Sequence, residues 1–215
     1  MDPLRLLRRF RDRLGRCRRA REHRRLTRQL SETTGYSYTA DYIGGNLEHW
    51  TRILGPCGGR AVAMLEIGSY EGRSTVWFLE NILTHEDSEI TCVDIFSELR
   101  WELRFDHNIR ISGLEGKVRK LKGRSEDVLP ELPRAGYDVI YVDGSHQASA
   151  VLMDAVLSWT LLKPGGLLLF DDYLWEPEKK ASQRPQMAID LFLESFAGRF
   201  ELVHQGYQVV IRKRS

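Results

Sequence analysis

Cysteine is scarce in this sequence, and long apolar runs are absent. The 215 residues include three cysteines, Cys17, Cys57 and Cys92, which lie far apart and form no CxxC pair or Cys/His cluster. This spacing argues against a disulfide framework and a zinc site, and it indicates a reducing, cytoplasmic location. No apolar run reaches the roughly 18–20 residues that a membrane-spanning helix needs. The remaining composition, 42% hydrophobic and 29% charged, is that of an ordinary globular protein.

The positive charge is concentrated at the N-terminus. Residues 1–28 carry a net charge of +9 from twelve arginines and three acidic residues; since the whole chain carries +2, the remainder carries −7. A mildly acidic body argues against nucleic acid as a partner. The chain therefore divides into a basic N-terminal helix with its linker, residues 1–34, and a domain of residues 35–215.

The basic segment has one apolar stripe, because its apolar residues recur every three or four positions. This pattern predicts an amphipathic helix that docks on the body or on a partner subunit, or that lies peripherally on an anionic membrane surface. A homo-oligomer is left open. The stripe is never a continuous apolar stretch, which argues against a signal peptide. Its residues are Leu4, Leu7, Phe10, Leu14 and Cys17.

Beyond the linker, apolar runs alternate with helical patterns, which predicts a parallel sheet with helices on both faces. The last segment, "FELVHQGYQVVIRK", has a tight turn between two alternating runs and predicts an antiparallel hairpin. In such Rossmann-like α/β sheets, ligands bind beyond the carboxyl ends of the strands. The predicted strands before the hairpin are 61–68, 89–96, 117–123, 137–144 and 167–172, and the predicted helices are 72–83, 97–112, 125–133, 146–162 and 186–197.

A glycine-containing loop, "EIGSYEGRST", follows the first predicted strand. Gly68 and Gly72 permit tight turns and a close approach of the backbone to a ligand, and the amides after Gly72 open a helix. Asp94 ends the second strand, 26 residues after Gly68, where nucleotide-binding folds hold a carboxylate for ribose hydroxyls. Simple turn chemistry and an incidental aspartate are the competing interpretations. Together the two features favour an adenosine-containing cofactor.

Glu66 indicates which cofactor this is. An acidic residue two positions before Gly68 would repel the pyrophosphate of a dinucleotide, but it suits the ammonium group of S-adenosylmethionine. The candidate cofactor-binding residues are Glu66, Gly68, Ser69, Tyr70, Gly72, Ser74, Asp94, Ser125 and Asp143.

The motifs "LEIGSYEGRST", "CVDIF" and "YDVIYVDGSHQASAVLMDAVLSWTLLKPGGLLLFDDY" resemble those of class I S-adenosylmethionine-dependent methyltransferases. More narrowly, "VDGSH…LKPGGLLLFDDY" resembles macrocin-type sugar O-methyltransferases and cephalosporin-hydroxylase-like proteins, and the strand-end layout is similar to that of catechol O-methyltransferase. The resemblance covers residues 45–213 and implies a mostly parallel seven-stranded sheet with an antiparallel C-terminal hairpin. One departure is Tyr70, which stands where many class I loops carry another glycine.

Three carboxylates, Asp143, Asp171 and Asp172, follow the fourth and fifth predicted strands. Their repulsion would raise at least one pKa unless a cation lay between them, and an all-oxygen set suits Mg²⁺ or a similar hard ion. In the resembling families a metal at these positions binds the acceptor hydroxyl. The competing interpretation has Asp171 and Asp172 capping the next turn, with Asp143 contacting the cofactor.

His146 lies three residues after Asp143 at the start of a predicted helix. The catechol methyltransferase pattern has its general base at this position, and histidine titrates in the useful range. The resemblance therefore implies catalytic roles for His146 and Asp143. The loop 173–186 offers Tyr173 and Trp175 either for stacking on an acceptor or as ordinary packed loop residues.

These features predict an S-adenosylmethionine-dependent, divalent-metal-dependent O-methyltransferase that acts on a hydroxyl of a sugar, glycan or other natural product. One alternative is a nucleic-acid methyltransferase guided by the arginines, although "DGSH" stands where base methylation typically uses an (N/D)PP(Y/F) motif. Another is a non-catalytic S-adenosylmethionine-binding or membrane-tethered scaffold, against which the set of Asp143, His146, Asp171 and Asp172 speaks.

Overall fold

The computed structural model of the chain describes residues 21–215. A helix covers residues 21–31 and leads into the linker. The apolar stripe predicted from Leu4 to Cys17 lies outside the described residues. Within residues 21–215, no helix has the length and apolar character needed to cross a membrane.

A seven-stranded sheet organises the domain, as the sequence predicts. The strand order is β3-β2-β1-β4-β5-β7-β6. The first five strands run parallel, while β7 pairs antiparallel with both β5 and β6. The strands are β1 (Ala63–Ile67), β2 (Glu89–Asp94), β3 (Val118–Lys122), β4 (Tyr137–Val142), β5 (Leu162–Phe170), β6 (Phe200–Gln205) and β7 (Val209–Lys213).

Helices cover both faces, because the central strands are apolar on both. Met64 and Leu65, neighbours in β1, are both fully buried but belong to the cores on opposite faces of the sheet. Such strands read as continuous apolar runs. The helices are α1 (Leu47–Leu54), α2 (Arg73–Asn81), α3 (Leu99–Ser112), α4 (Ser125–Val128), α5 (Ala148–Leu161) and α6 (Pro185–Ser195).

The fifth strand begins earlier than predicted. The sequence predicts a turn at "KPGG" followed by a strand over 167–172, whereas β5 runs from Leu162 to Phe170 and includes those residues. The backbone is nevertheless irregular at the predicted turn. Gly165 has a positive φ of 79°, and the pairing of β4 with β5 shifts register after Tyr137. The glycine therefore makes a local bulge rather than a chain reversal. The carboxyl end of β5 still leads into Asp171.

The strand order reverses between β1 and β4. From β1 the chain moves outwards to β2 and β3, then returns to pair β4 on the other side of β1. A crevice at such a switch point is the usual ligand site of open α/β sheets. The loops that leave β1, β2, β3, β4 and β5 converge there.

Candidate functional site

A cavity of about 760 Å³ opens at the carboxyl ends of the parallel strands. This volume lies within the usual range for small-molecule sites. Of the predicted catalytic, cofactor-binding and metal-binding residues, all but Glu66 and Gly72 line it. The predicted residues in the lining are Gly68, Ser69, Tyr70, Ser74, Asp94, Ser125, Asp143, His146, Asp171 and Asp172.

The loop after β1 passes close to the end of β4. Gly68 has a φ of 90°, and a Cβ atom there would lie 2.0 Å from the main-chain oxygen of Asp143. Only glycine fits at this contact. Gly72 also has a positive φ, 77°, and faces Phe105 of α3. It therefore sets the turn into α2 rather than a wall of the cavity.

Asp94, at the end of β2, holds the same loop through main-chain contacts. Its Oδ2 accepts hydrogen bonds from the amides of Ser69 and Tyr70, at 2.9 and 2.8 Å. Its Oδ1 accepts one from the amide of Phe96, at 2.6 Å. Each carboxylate oxygen has two lone pairs, so Asp94 can accept further hydrogen bonds from a ligand. The contacts fit a ribose-binding carboxylate that also organises the loop.

Glu66 lies behind the cavity wall instead of lining it. It is completely buried, and its carboxyl group accepts hydrogen bonds from the hydroxyls of Ser74, at 2.6 Å, and Thr75. Burial raises the pKa of Glu66, and the two hydroxyls oppose that rise. Direct contact of Glu66 with a cofactor remains a prediction, whereas its contacts give it a role in holding the first turn of α2.

Tyr70 adopts a backbone conformation that favours glycine. Its φ is 47°, a left-handed value that is uncommon for other residues. Glycine adopts this conformation without strain, which explains why many class I loops carry glycine at this position. The Tyr70 ring packs against Trp101 and Tyr42, with ring centroids 5.0 and 6.2 Å apart. Sequence reasoning missed both partners, because Trp101 lies on α3 and Tyr42 in the segment before α1, far away along the chain.

Asp143 and Asp171, at the ends of β4 and β5, share one phenol. The Tyr141 hydroxyl lies 3.0 Å from Asp143 Oδ2 and also contacts Asp171 Oδ2. Because a phenol has a single hydrogen to donate, it cannot satisfy two carboxylates. Burial raises the pKa of both aspartates, and the neighbouring carboxylates raise both further. Tyr141 was not predicted, since it reads as one more apolar strand residue.

Asp172 pairs with His146 across the mouth of the site. Its Oδ2 lies 2.8 Å from His146 Nε2, and its Oδ1 accepts a hydrogen bond of 2.7 Å from the Tyr207 hydroxyl. Asp172 has a φ of 59°, a conformation that aspartate tolerates better than most residues. The hairpin residue Tyr207 was not predicted and anchors this side chain.

The structure groups the predicted metal ligands somewhat differently from the sequence. Ligand atoms of Asp143, His146 and Asp172 all lie within 4.8 Å of one another. The third predicted ligand, Asp171, is turned towards Tyr141, with the Asn46 amide 3.5 Å from its Oδ2. Oxygen donors of this kind fit a hard divalent ion.

The loop after β5 contributes one of its two predicted aromatic residues. Trp175 lines the cavity, and its ring centroid lies 4.1 Å from that of His146. The Lys179 ammonium lies 4.1 Å from the Trp175 ring centroid. Tyr173 instead donates a hydrogen bond of 2.8 Å to Asp190 of α6. Trp175 is thus placed to contact a bound molecule, and Tyr173 fixes the loop.

The region around Gly68 fits the polar end of S-adenosylmethionine. Ser69 is 2% exposed and lines the cavity. Its hydroxyl lies near enough to Glu66 to lower the pKa of that carboxyl group, but within residues 21–215 it makes no hydrogen bond of ordinary geometry. The amides at the start of α2 suit a carboxylate. An orphaned hydroxyl, a close glycine turn and helix amides together form a cradle for the methionine group.

Comparison with known proteins agrees with this geometry. The family model described as "Methyltransferase domain" matches residues 65–173, which is half of the chain. A protein of Mycobacterium leprae, provisionally named an O-methyltransferase, is 31% identical over 117 residues, covering 54% of this chain and 48% of the relative. The chain thus aligns with about half the length of such curated relatives.

Two solved structures share the fold. A protein of Klebsiella pneumoniae, provisionally named an O-methyltransferase, superposes with a TM-score of 0.67 at 16% identity, covering 90% of both chains. The O-methyltransferase TomG of Streptomyces achromogenes, solved with S-adenosylmethionine, gives a TM-score of 0.62 at 19% identity, covering 83% of this chain and 82% of TomG. From the strand order, the cavity and the family match, we conclude that the chain belongs to the methyltransferase-domain family of class I, S-adenosylmethionine-dependent methyltransferases.

Proposed function

We propose that the protein transfers a methyl group from S-adenosylmethionine to a hydroxyl of a sugar or other natural product, with a divalent ion, Mg²⁺, bound by Asp143, Asp171 and Asp172. The observation that carries this proposal is the convergence of three carboxylates and His146 in one cavity. The sugar acceptor rests on the resemblance of the β4–β5 region to macrocin-type enzymes. The complex of TomG with S-adenosylmethionine supports the choice of methyl donor.

The loop after β1 and the end of β2 would orient the methyl donor. The Ser69 hydroxyl and the amides at the start of α2 receive its carboxylate, and Asp94 accepts hydrogen bonds from the ribose hydroxyls. Since Asp94 already holds the loop amides of Ser69 and Tyr70, one carboxylate positions both the loop and the nucleoside. The sulfonium methyl then faces the ends of β4 and β5.

The carboxylates of β4 and β5 would hold the acceptor end of the reaction. A divalent ion held by these carboxylates would lower the pKa of the acceptor hydroxyl. The Tyr141 hydroxyl contacts both Asp143 and Asp171 and fixes the two side chains relative to each other. Trp175 and Lys179 give the acceptor an aromatic face with a positive charge beside it.

His146 would take the proton of the acceptor hydroxyl. Asp172 Oδ2 lies 2.8 Å from Nε2, which favours the tautomer with its proton on Nε2 and leaves Nδ1 to accept the new one. The acceptor oxygen forms a bond to the methyl carbon while the carbon–sulfur bond breaks. Sulfur keeps the electron pair and becomes the neutral thioether of S-adenosylhomocysteine. Most of the acceleration then comes from positioning.

The test is methyl transfer from a labelled methyl donor to a panel of sugars, glycans, phenols and RNA, with Mg²⁺ or with EDTA. We expect a sugar or phenol to be methylated only with Mg²⁺, while S-adenosylhomocysteine binds under both conditions. Full activity in EDTA would remove the metal from the proposal. Methylation of RNA alone would overturn the substrate class.

A second measurement distinguishes a base from a ligand at His146. As a general base, His146→Ala lowers kcat by about 10²–10⁴-fold, with the Mg²⁺ concentration for half-activation unchanged. If His146 is a metal ligand instead, His146→Ala raises the Mg²⁺ concentration needed for half-activation. His85→Ala is the matched control, because it removes a histidine that pairs with Asp87 and does not line the cavity; its kcat and its response to Mg²⁺ should stay at the wild-type values.

A further inference from the structure

Asp154 is a buried acidic residue that the mechanism above does not use. It lies on α5, is 2% exposed, and lines the cavity together with Ser125 and Ala150. Sequence reasoning passed over it, because it stands in an apolar helix and belongs to no motif. A buried carboxyl group costs free energy unless a partner donates to it.

The described part of the chain offers Asp154 no cation. Ser125 on α4 is its polar neighbour and lowers its pKa, whereas the like charge of Glu126 raises it. Burial raises the pKa of Asp154 to about 6, against the effect of Ser125. At neutral pH the group is thus mostly a carboxylate with capacity to accept a further hydrogen bond. Because Asp154 lines the cavity, a bound ligand can supply that donor.

The position of Asp154 fits one end of the methyl donor. If Asp94 at the end of β2 binds the ribose, the base lies away from the methionine cradle, towards the ends of β3 and β4. Ile95, 52% exposed and in the cavity lining, gives this region an apolar face. Across from it, α5 packs on α4, and Asp154 Oδ2 lies 3.7 Å from the Cβ position of Gly144. The adenine therefore meets an apolar surface on one side and a carboxylate at its edge.

Glu126 is the other acidic residue at this end, but it already has a partner. Its carboxylate pairs with Arg124 at 2.7 Å. We infer that Asp154 recognises the cofactor by accepting a hydrogen bond from the exocyclic amino group of adenine, and that it sets specificity for an amino-bearing base. This inference rests on the proposed function, because it takes the cofactor to be S-adenosylmethionine.

The test compares two ligands by calorimetry: S-adenosylhomocysteine and its analogue in which purine replaces adenine, so that only the amino group is missing. Hydrogen bonds to charged groups contribute about 1.5–3 kcal/mol, so the wild-type protein should prefer the amino-bearing ligand by about 10-fold or more. Asp154→Ala should bind S-adenosylhomocysteine at least about 10-fold more weakly and lose the preference.

Two variants separate recognition from a structural role. Asp154→Asn keeps an acceptor oxygen and should retain part of the preference, even if its overall affinity falls. Glu126→Gln should keep the full preference. A preference unchanged in Asp154→Ala, or lost in Glu126→Gln, would overturn the inference while leaving the cofactor in place. A wild-type protein that binds neither ligand would instead overturn the cofactor assignment, and this inference with it.

Discussion

The two halves of the cavity satisfy their carboxylates in different ways. In the cofactor half, formed by residues 68–74, Asp94 and Ser125, the aspartate accepts three main-chain hydrogen bonds. The other half is formed by Asp143, His146, Asp171 and Asp172, and we call it the metal half because we propose that it holds the ion. In it two aspartates share one phenol, and both have raised pKa values.

The comparison separates a preorganised surface from one with excess negative charge. Main-chain amides are fixed by the fold, so the cofactor half has its shape before any ligand binds. The metal half places carboxylates within reach of one another, and their repulsion is relieved only by protonation or by a cation. The predictions below disturb one half and monitor the other.

The largest effect is expected from Gly68→Ala, which damages both halves at once. The added methyl group would lie 2.0 Å from the Asp143 oxygen at a φ of 90°, so β1 and β4 must move apart. We expect a loss of stability on the order of 3 kcal/mol and no measurable S-adenosylhomocysteine binding, by denaturant unfolding and calorimetry. Gly116→Ala is the control, because a Cβ there meets nothing within 4 Å. Wild-type binding by Gly68→Ala would refute the close contact.

Asp94→Ala should damage the cofactor half alone. It removes the acceptor for the amides of Ser69, Tyr70 and Phe96 as well as the ribose partner. We expect S-adenosylhomocysteine affinity to fall about 10–100-fold, in line with one or two hydrogen bonds to a charged group. The Mg²⁺ concentration for half-activation should stay unchanged. An unaltered affinity in calorimetry would show that the carboxylate serves only the loop.

Asp154→Asn sharpens the comparison through pH. Burial raises the pKa of Asp154 from 3.8 to about 6, so between these values the folded protein holds a proton that the unfolded chain has lost. This contribution to stability is present below pH 3.8 and is lost as the pH rises through 6. Asparagine does not titrate, so the variant should gain about 2 kcal/mol relative to wild type between pH 4.5 and 7.5. Urea unfolding of the ligand-free proteins at both pH values checks this. The same difference in free energy of unfolding between variant and wild type at both pH values would contradict it.

The smallest effect is expected from removing the basic segment. A chain that starts at Ser31 keeps the segment before α1. In that segment Ser37 pairs with Asn108, and the Thr39 amide donates to Glu71 at 2.7 Å. We expect its S-adenosylhomocysteine affinity to stay within about 3-fold of wild type, a change of less than 1 kcal/mol. A chain that starts at Asn46 loses those contacts and should bind much more weakly. If both shortened chains lose S-adenosylhomocysteine affinity equally, the basic segment is part of the domain.

The fold and half of the site could be predicted because their signals are local. Apolar runs with glycine or aspartate at their ends mark strands, and parallel pairing brings those ends together, so Gly68, Asp94 and Asp143 are readable one by one. Tyr141 and Asp154 could not be found this way, since each looks like part of an apolar element. Their roles become visible only in the folded structure, where Tyr141 contacts Asp171 and Asp154 lines the cavity with Ser125.

Glu66 illustrates the opposite limit. Its place beside the glycine loop predicts a ligand contact, which stays a prediction, but strand residues alternate between faces, and the carboxyl group also turns to α2. Its partners Ser74 and Thr75 lie close by in sequence. Even so, the direction of one side chain depends on the twist and packing of the sheet, which periodicity does not specify.

The most direct test of the two-half account is a calorimetric titration of Mg²⁺ into the S-adenosylhomocysteine complex of wild type, Asp171→Asn and Asp94→Asn. The account predicts that wild type binds Mg²⁺ and that Asp171→Asn loses it while keeping its S-adenosylhomocysteine affinity. Asp94→Asn should weaken S-adenosylhomocysteine and, once saturated, still bind Mg²⁺. If Asp171→Asn binds Mg²⁺ as wild type does, or weakens S-adenosylhomocysteine as much as Asp94→Asn, the division of the cavity is contradicted.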